Sequence, residues 1–402
     1  MGQHGAVPRS AEVVIVGGGI VGAASVFFLA RAGLRPVLVE RAPALATATT
    51  AVSAHCVRAQ FSEPENVAMM GESLVVFADF AAVLGLPPDE ADIGLRQQGY
   101  LFASTDPAQR EPFAARVAVQ RSLGLQDVEL LDGDEIRRRF PFVAPEVVVG
   151  TFRGADGWLD GCRAAELFVK ASGAPVLLNT AALEIERAGG RVTGVRTDRG
   201  TIATETVILA TGPFAGELAG EPLPIAPLRR QRVIVSPGGT SGRPAIPQDG
   251  PLTIDADTGA HWRPHHGGAL IAWGQPEDPG PPQWPVTPDP GFADLVLTDP
   301  RGVGRISPFW RDLAPRLASR EIALAAGQYT MTPDHKPLIG PAAETAGLWL
   351  HTGYSGHGIM GSPGGARLLA DLVVGRVAAA ENPFRPGRFA EGGAVVAEAV
   401  VL

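Results

Sequence analysis

The chain has 402 residues, 45% of them hydrophobic and 19% charged, which is enough to build two packed globular domains. Its formal net charge of −8 provides no basic surface for nucleic acid. The two cysteines, Cys56 and Cys162, lie far apart and outside any C-x-x-C motif, so we expect no disulfide framework, no iron–sulfur cluster and no metal site. Residues 1–10 contain no signal-peptide core, and we therefore expect a cytoplasmic protein.

The first predicted elements form a strand, a tight turn, a helix and a second strand. Val13 to Val16 is an unbroken apolar run, as expected of a buried parallel strand. Gly17, Gly19 and Gly22 follow at the spacing G-x-G-x-x-G, and the second strand ends at Glu40. In such a unit the first glycine permits the sharp turn, the second lets a pyrophosphate approach the backbone, and the third lets the helix pack close to the sheet. This order of elements predicts a dinucleotide-binding site.

Glu40 narrows the choice of dinucleotide. Its carboxylate can accept hydrogen bonds from a ribose diol, whereas a 2′-phosphate would be repelled by roughly 4 kcal/mol at ~4 Å and an effective dielectric of ~20. The site therefore favours FAD or NAD over NADP. One alternative is a glycine-rich turn without a ligand. The other is a transmembrane helix over residues 13–30, but three consecutive glycines and too few large apolar residues argue against a membrane span.

A loop and a helix come next. Residues 42–54 carry mostly short side chains, so this loop can pass close to a bulky ligand. From Glu65 onward apolar residues recur at helical spacing until Pro87-Pro88 ends the helix. An insertion follows, with a strand predicted at 99–104 and helices at 106–123 and 132–140.

The chain then returns to the pattern of its first part. Asp160 can cap a helix that starts beside it. Short strands are predicted at 175–178, 191–197 and 201–204. The apolar strand Val207 to Ala210 runs into Thr211-Gly212, which indicates a second place where backbone meets a cofactor.

A second insertion is predicted to be a largely antiparallel sheet. Strand and turn signals alternate along it, including the stretch 294–310, and a helix is expected after Pro290. The proline-rich stretch 276–290 predicts a long loop that can act as a lid. The last elements are a buried strand at Leu348 to His351, a glycine turn, and a helix from Ile359 to Val374.

Four motifs together resemble a known family. They are the glycine motif with Glu40-Arg41, the Ala-Thr-Gly turn at 210–212, YTMTPDHKPLIGP at 329–341 and GYSGHGIMGSPGGARLLADL at 353–372. With them the sequence resembles, over nearly its whole length, the D-amino-acid oxidase-like family of FAD-dependent amine and amino-acid oxidoreductases. The similarity is greatest to its sarcosine-oxidase and glycine-oxidase branch.

The resemblance implies an α/β fold, α+β overall, in which a Rossmann-like FAD-binding domain carries an inserted, mostly antiparallel β-sheet substrate domain. The FAD-binding domain would comprise residues 9–88, 147–221 and 321–385. The substrate domain would comprise residues 89–146 and 222–320, and its sheet would cover the flavin ring.

The resemblance also implies which residues contact FAD. They are Gly17, Gly19, Ile20, Val21, Gly22, Glu40 and Arg41 for the ADP portion, Ala182 for adenine, Ser53 and Ala54 for the pyrophosphate or ring, Thr211, Gly212, Gly327 and Gly353 along the cofactor, and Gly356, His357, Gly358, Ile359 and Met360 beside the pyrimidine end of the flavin. Reduced flavin gains negative charge near N1 and C2=O, and a helix N-terminus there stabilises it. The alternative is that Ser355 to Gly358 is only a tight turn.

The implied reaction removes a hydride equivalent from the carbon next to the nitrogen of a small amine or amino acid, N-methylated ones included. The resulting imine is hydrolysed by water, and the electrons pass to oxygen or another acceptor. Arg58 is the best candidate to bind a substrate carboxylate, because a planar guanidinium binds carboxylate bidentately. The alternative for Arg58 is an internal salt bridge with Glu63 or another acid.

Further candidates for the substrate site lie in three separate segments of the chain. His55 could face the flavin, tune the protonation of the amine or carry a covalent flavin link, and a histidine bonded to backbone carbonyls is the alternative. Tyr329 matches a position that lines the substrate site. His261, Trp262 and Arg263 lie on a strand that should face the flavin.

Three departures from the sarcosine-oxidase branch leave alternatives open. Gly327 stands where a cysteine tethers the flavin, and Met360 stands where a lysine binds carboxylate. No lysine in 267–274 matches one thought to help oxygen react, so a dehydrogenase with another acceptor is an open alternative. A flavin subunit of a larger assembly and an FAD enzyme acting on a 2-hydroxy acid are the other hypotheses, and the oligomeric state is undetermined.

Overall fold

The computed structural model describes residues 7–236, 245–391 and 396–400. The strands are β1 Val13–Val16, β2 Pro36–Val39, β3 Cys56–Val57, β4 Tyr100–Ser104, β5 Glu129–Asp132, β6 Val149–Arg153, β7 Gly157–Trp158, β8 Val176–Leu177, β9 Ala182–Ala188, β10 Arg191–Thr197, β11 Gly200–Ala203, β12 Val207–Leu209, β13 Ala226–Val235, β14 Leu252–Asp255, β15 His261–His265, β16 Gly268–Ala272, β17 Ile322–Met331, β18 Leu338–Pro341 and β19 Leu348–Thr352. The α-helices are α1 Ile20–Arg31, α2 Thr49–Val52, α3 Pro64–Ala78, α4 Phe80–Leu84, α5 Arg110–Ser122, α6 Gly133–Arg139, α7 Gly161–Ser172, α8 Ala215–Ala219, α9 Phe292–Thr298, α10 Phe309–Leu313 and α11 Gly358–Val373.

A six-stranded sheet brings distant parts of the chain together. Its order is β18-β19-β12-β1-β2-β8, parallel except for β18, which runs antiparallel to β19. Val13 and Ile15 of β1 pack into a core with α1, α3, α7 and α11, whereas Val14 and Val16 pack into a core with the three-stranded sheet β9–β11. Burial on both faces explains why β1 is apolar at every position.

An eight-stranded sheet forms the second large element. Its order is β17-β13-β16-β15-β14-β4-β6-β5, antiparallel apart from the β4–β14 pair. Its core includes Trp262 of β15 and Trp310 of α10, together with apolar residues of α9. The predicted fold, a Rossmann-like sheet with an inserted and mostly antiparallel sheet, is confirmed.

The large sheet also takes in two strands that the predicted domain boundaries place with the FAD-binding domain. β6 pairs with β4, and β17 pairs along its whole length with β13. Boundaries at 147 and 321 therefore separate strands of one hydrogen-bonded sheet. We propose that the domain division, which otherwise stays a prediction, falls after Arg153 and after Met331.

The structure differs from the local predictions at residues 182–188 and 294–297. Ala182–Ala188 forms β9, a partner of β10, although its many charged side chains hid the strand signal. The strand predicted at 175–178 is present as Val176–Leu177, and it pairs with β2 in the parallel sheet. Residues 294–297 lie in α9 and not in a strand, because a short apolar run does not distinguish the two. Within the described ranges, no helix combines the length and apolarity needed to cross a membrane.

Candidate active site

A cleft of about 500 Å³ runs along the carboxyl ends of the parallel strands. It is lined by residues at the ends of β1, β2, β12 and β19 and by the first residues of α1 and α11. These elements meet because β1 lies between β2 and β12, and β12 pairs with β19. In open parallel sheets, the crevice outside such strand ends is where dinucleotides bind.

The glycine turn at the start of α1 has the geometry expected from its spacing. Gly17 has a φ of 109°, and a Cβ there would lie 2.6 Å from the carbonyl oxygen of Ala210. A Cβ on Gly22 would lie 1.9 Å from the carbonyl oxygen of Gly17, so the close packing of α1 on the turn requires glycine. A Cβ on Gly19 would meet only Thr50 Oγ1, at 3.5 Å, and Gly19 therefore leaves bare backbone facing the cleft.

Glu40 braces this turn. One carboxylate oxygen accepts a hydrogen bond from Gly18 N at 2.6 Å, and the other accepts from Ala42 N at 2.7 Å. Each oxygen retains a further lone pair, and the residue lines the cleft, so it can also accept from a ligand hydroxyl. The bracing role was not anticipated, because it depends on a contact between the ends of β1 and β2.

The polar groups of the cleft fit FAD. α1 and α11 both open into it, and neither N-cap residue, Gly19 or His357, makes a side-chain capping hydrogen bond. Thr211 Oγ1 is buried at the same cleft without a hydrogen-bond partner in the described part of the chain. At α1 the Ile20 N–H donates to Thr50 Oγ1 at 3.2 Å. The two helix N-termini and an unpartnered hydroxyl suit a ligand with anionic groups along its length. FAD has this form, with a pyrophosphate in the middle and a ring that becomes anionic at one end.

Besides Arg41 and Ala182, the lining of the cleft includes two aromatic rings that sequence reasoning missed, those of Phe214 and Trp284. The Arg41 guanidinium carbon lies 4.1 Å from the Phe214 ring centroid and 5.1 Å from that of Trp284. All four residues line the cleft. Trp284 belongs to the proline-rich stretch predicted as a lid, which thus reaches the cleft, and only the tertiary fold reveals this contact.

The glycine turn before α11 also lines the cleft. Gly356 has a φ of 99°, and a Cβ there would lie 2.4 Å from the Tyr329 ring, so Tyr329 packs directly on the turn. A Cβ on Gly358 would approach nothing closer than 3.6 Å. His357 is buried, and its Nε2 lies 3.0 Å from the carbonyl oxygen of His335, to which it donates.

A buried chain of hydrogen bonds connects this turn to α1. Ser25 donates its hydroxyl proton to Val21 O, so His351 Nδ1, 2.7 Å away, donates to Ser25. His351 Nε2 is then an acceptor, and the Tyr354 hydroxyl donates to it at 2.6 Å. The chain links α1 to the turn that precedes α11. Burial lowers the pKa of His351 to about 3, so the ring is neutral at ordinary pH.

We predict that this neutral histidine makes the fold sensitive to acid. The folded-state pKa of His351 lies below the unfolded value, so the unfolded chain binds more protons as pH falls below about 6.5. Stability is therefore present above that pH and is lost towards the folded pKa, at roughly 1.4 kcal/mol per pH unit for each such histidine. The free energy of unfolding, measured with urea between pH 6.5 and 5, should fall with this slope. In His351→Gln the slope should be smaller by roughly 1.4 kcal/mol per pH unit, which corresponds to one proton. An unchanged slope in the variant would contradict the assignment.

A smaller cavity of about 50 Å³ adjoins the cleft beside the glycine turn that precedes α11. The two share Ser53, Tyr329, Ser355, Gly356 and Ile359 as lining residues. The smaller cavity is also lined by Ala54, Cys56, Arg58, Tyr100, Leu252, His261, His357 and Met360. The fold therefore brings together the predicted residues Arg58, His261 and Tyr329, which are far apart in sequence. Tyr100 was not predicted, because its strand lies in the insertion.

Arg58 has no carboxylate partner among the residues that the structure describes. It is buried, and its two terminal nitrogens donate to the backbone carbonyls of Gln60 and Val400. Its guanidinium carbon lies 3.9 Å from the Phe61 ring centroid. Glu63, the acid proposed as an internal partner, instead pairs with Lys336. Within the described residues, no carboxylate lies at salt-bridge distance from Arg58, so the internal salt bridge is excluded there.

His55 and Arg263 line neither cavity. His55 has a φ of 59°, which turns its ring towards the start of α7, where Nδ1 accepts a hydrogen bond from Gly161 N at 3.0 Å. Burial, with Arg232 and Arg263 nearby, lowers its pKa to about 4. Arg263 donates from Nε to the Ala54 carbonyl at 2.9 Å and so holds the loop that contains Ala54. His55 Nε2 is buried without a hydrogen-bond partner among the described residues. The roles predicted for His55 and Arg263 stay predictions.

The remaining predicted residues divide by position. The large cleft is lined by Gly17, Gly19, Ile20, Val21, Glu40, Arg41, Ser53, Ala182, Thr211, Gly212, Gly353, Gly356, Gly358 and Ile359. Ala54, His357 and Met360 line only the smaller cavity. Gly22 and Gly327 line neither. Gly327 lies in β17, where a Cβ would meet Val52 at 2.4 Å, so it serves packing.

Comparison with known proteins agrees with this geometry. The family model described as DAO, FAD dependent oxidoreductase, matches residues 12–372. FAD-dependent oxidoreductase domain-containing protein 1 of Xenopus laevis is 28% identical over 91% of this chain and 80% of its own length. The D-amino acid dehydrogenase of Cereibacter sphaeroides is 26% identical over 92% of this chain and 93% of its own length.

A solved structure extends the agreement to the fold. The crystal structure of L-proline dehydrogenase from P. horikoshii superimposes with a TM-score of 0.81 and 25% identity, over 96% of this chain and 99% of that chain. The cleft, its two glycine turns and the family match point to one conclusion. The chain belongs to the DAO family of FAD-dependent oxidoreductases, flavoenzymes that oxidise amines and amino acids.

Proposed function

We propose that the enzyme oxidises the carbon–nitrogen bond of a small amine or amino acid that carries a carboxylate, and that Arg58 binds this carboxylate. The observation that carries the proposal is a buried guanidinium that lines the smaller cavity without an acidic partner in the described residues. A buried charge left unpaired is unfavourable by several kcal/mol. A substrate carboxylate supplies the missing partner, and the planar guanidinium can bind it with two hydrogen bonds.

The other groups of the smaller cavity favour a neutral amine. Burial raises the pKa of Tyr100, Tyr329 and Cys56 and lowers the pKa of His261 and His357, so these groups are uncharged at neutral pH. Arg58 is then the one formal charge among the described lining residues. An ammonium group would be repelled by it. The substrate nitrogen therefore binds unprotonated, with the lone pair that hydride removal requires.

The protein contributes position and electrostatics. Bound FAD supplies the hydride acceptor. Arg58 holds the carboxylate end of the substrate, and Tyr329, packed on Gly356, lines both the smaller cavity and the cleft. The N-terminus of α11, which has no side-chain cap, would stabilise the negative charge that the flavin gains on reduction. His357, with a pKa of about 4, is too weak a base to be required at neutral pH.

The volume of the smaller cavity limits the substrate. About 50 Å³ accommodates a compact molecule beside the cofactor rather than a long chain. Relatives named for D-amino acids and proline act on molecules of this kind. The electrons then pass from the reduced flavin to oxygen or to another acceptor.

The test is to mix the purified holoprotein without oxygen with secondary amines, D- and L-amino acids, and 2-hydroxy acids. We expect loss of the oxidised flavin absorbance with at least one small amine that carries a carboxylate. Bleaching by hydroxy acids alone would refute the proposal. Repeating the successful reaction in air and measuring hydrogen peroxide then separates an oxidase from a dehydrogenase. Copurification with an iron–sulfur or second flavin subunit would instead support the assembly hypothesis.

A further inference from the structure

Residues 396–400 reach Arg58 from outside the elements that form the active site. We call them the anchor segment. The carbonyl oxygen of Val400 accepts a hydrogen bond from Arg58 Nη2, and the Val400 side chain is buried against Cys56, Tyr100 and Leu252, which line the smaller cavity. Arg58 is therefore held between two carbonyls, one on its own loop and one on this distant segment.

Glu398 fastens the anchor segment. Its side chain is buried, and one carboxylate oxygen accepts from Ser62 N at 2.8 Å and from Ser62 Oγ at 2.7 Å. The other oxygen accepts from Glu63 N and from Asn66 Nδ2, both at 3.0 Å. Glu63 is the N-cap residue of α3, so the carboxylate also occupies a favourable helix N-terminus.

The backbone of the segment adds further hydrogen bonds. Glu398 N donates to Asp334 O at 3.0 Å, and His335 Nδ1 lies 3.1 Å from Glu398 O. Val400 N donates back to the Glu398 carboxylate at 3.0 Å, which links the anchor directly to the residue that touches Arg58. Hydrogen bonds through Glu398 and Val400 thus connect the start of α3 to the Arg58 guanidinium.

Glu398 is well placed to orient Arg58 without neutralising it. Its negative charge is close enough to favour the charged guanidinium, yet the two groups form no salt bridge. A direct ion pair would occupy the donors that a substrate needs, whereas neutral carbonyls leave the positive charge uncompensated. The arrangement holds the guanidinium in one orientation and keeps it available for an anion.

We propose that Glu398 is a positioning residue, which holds Val400 so that its carbonyl orients Arg58 for the substrate carboxylate. The inference rests on the proposed function of Arg58. Loss of the anchor should leave FAD bound, because no residue of the anchor segment lines the cofactor cleft. It should weaken carboxylate binding, because the guanidinium is no longer held in its binding orientation.

The test is the dissociation constant of acetate from the holoprotein, measured by calorimetry, with acetamide as the uncharged probe. We expect Glu398→Ala to weaken acetate binding about tenfold or more and Glu398→Gln, which keeps part of the hydrogen bonding, to weaken it less. Glu391→Ala is the matched control, since Glu391 is exposed and pairs with Arg385. Acetamide binding should not differ among these variants.

Two variants distinguish the positioning role of Glu398 from the carboxylate-binding role of Arg58. If Arg58→Met leaves acetate binding unchanged, the proposed role of Arg58 is wrong. If Arg58→Met abolishes binding while Glu398→Ala stays within about twofold of the wild type, only the positioning role is wrong. If Glu398→Ala does not fold, Val400→Gly loosens the same contact and should weaken acetate binding in the same direction. On an accepted substrate, the positioning role predicts a higher KM with kcat less affected.

Discussion

Replacing Gly19 with valine is expected to abolish FAD binding while leaving the fold intact. In the protein alone, a Cβ at this position meets only Thr50 Oγ1, at 3.5 Å, so a side chain has room without the cofactor. With FAD bound, the same space is where the pyrophosphate must approach the backbone. We expect FAD affinity to fall at least about 100-fold, or about 2.7 kcal/mol. Flavin absorbance per mole of purified protein measures it.

Two further glycines provide the controls. A Cβ on Gly22 would lie 1.9 Å from Gly17 O, so Gly22→Val should destabilise the apoprotein itself. Gly71 lies in α3, and a Cβ there would have nothing within 4 Å, so Gly71→Ala should retain both FAD and stability. Full FAD content in Gly19→Val would contradict the placement of the cofactor. A Gly19→Val protein that is unfolded would show that Gly19 serves packing instead.

Replacing Arg58 with methionine is expected to lower kcat/KM for a carboxylate-bearing amine about 10²- to 10⁴-fold, or about 3–5 kcal/mol. The variant removes the one charge that faces the substrate among the described lining residues and leaves the substrate carboxylate buried without a partner. The corresponding amide, which has no carboxylate, should lose far less. Steady-state kinetics with the acid and its amide therefore isolate the charge.

Stability distinguishes this role from a structural one. The guanidinium is buried without an acidic partner in the described chain, so Arg58→Met should leave the melting temperature unchanged or raise it. Arg35→Met, which removes an exposed arginine paired with Glu12, is the control for the substitution itself. Equal losses for the acid and the amide, or a strongly lowered melting temperature, would contradict carboxylate binding by Arg58.

The cofactor half of the site could be predicted because its signals are local. The positive φ of Gly17 and Gly356 and the close contact of Gly22 with Gly17 O are local reasons for glycine in the two turns. Glu40 follows directly from the end of β2. Such features leave a fixed spacing in the sequence, and the fold class follows once both turns and the strands before them are identified.

The substrate half was harder because its residues meet only through tertiary structure. Tyr100 lies on a strand of the inserted sheet, and Val400 comes from a distant segment, so no spacing connects either to Arg58. The orientation of His55 is a further feature that sequence spacing does not reveal. Its position beside Ala54 suggested the flavin, but a φ of 59° turns the ring to the start of α7. No residue pattern in the sequence around His55 indicates this backbone conformation.

The most direct test of carboxylate-directed amine oxidation is an anaerobic titration of the purified holoprotein with a small N-methyl amino acid and, separately, with its amide. We expect that the acid bleaches the bound flavin, that the amide does so far more weakly, and that Arg58→Met removes the difference. A colourless protein that takes up no FAD, or equal bleaching by acid and amide in the wild type, would contradict this function.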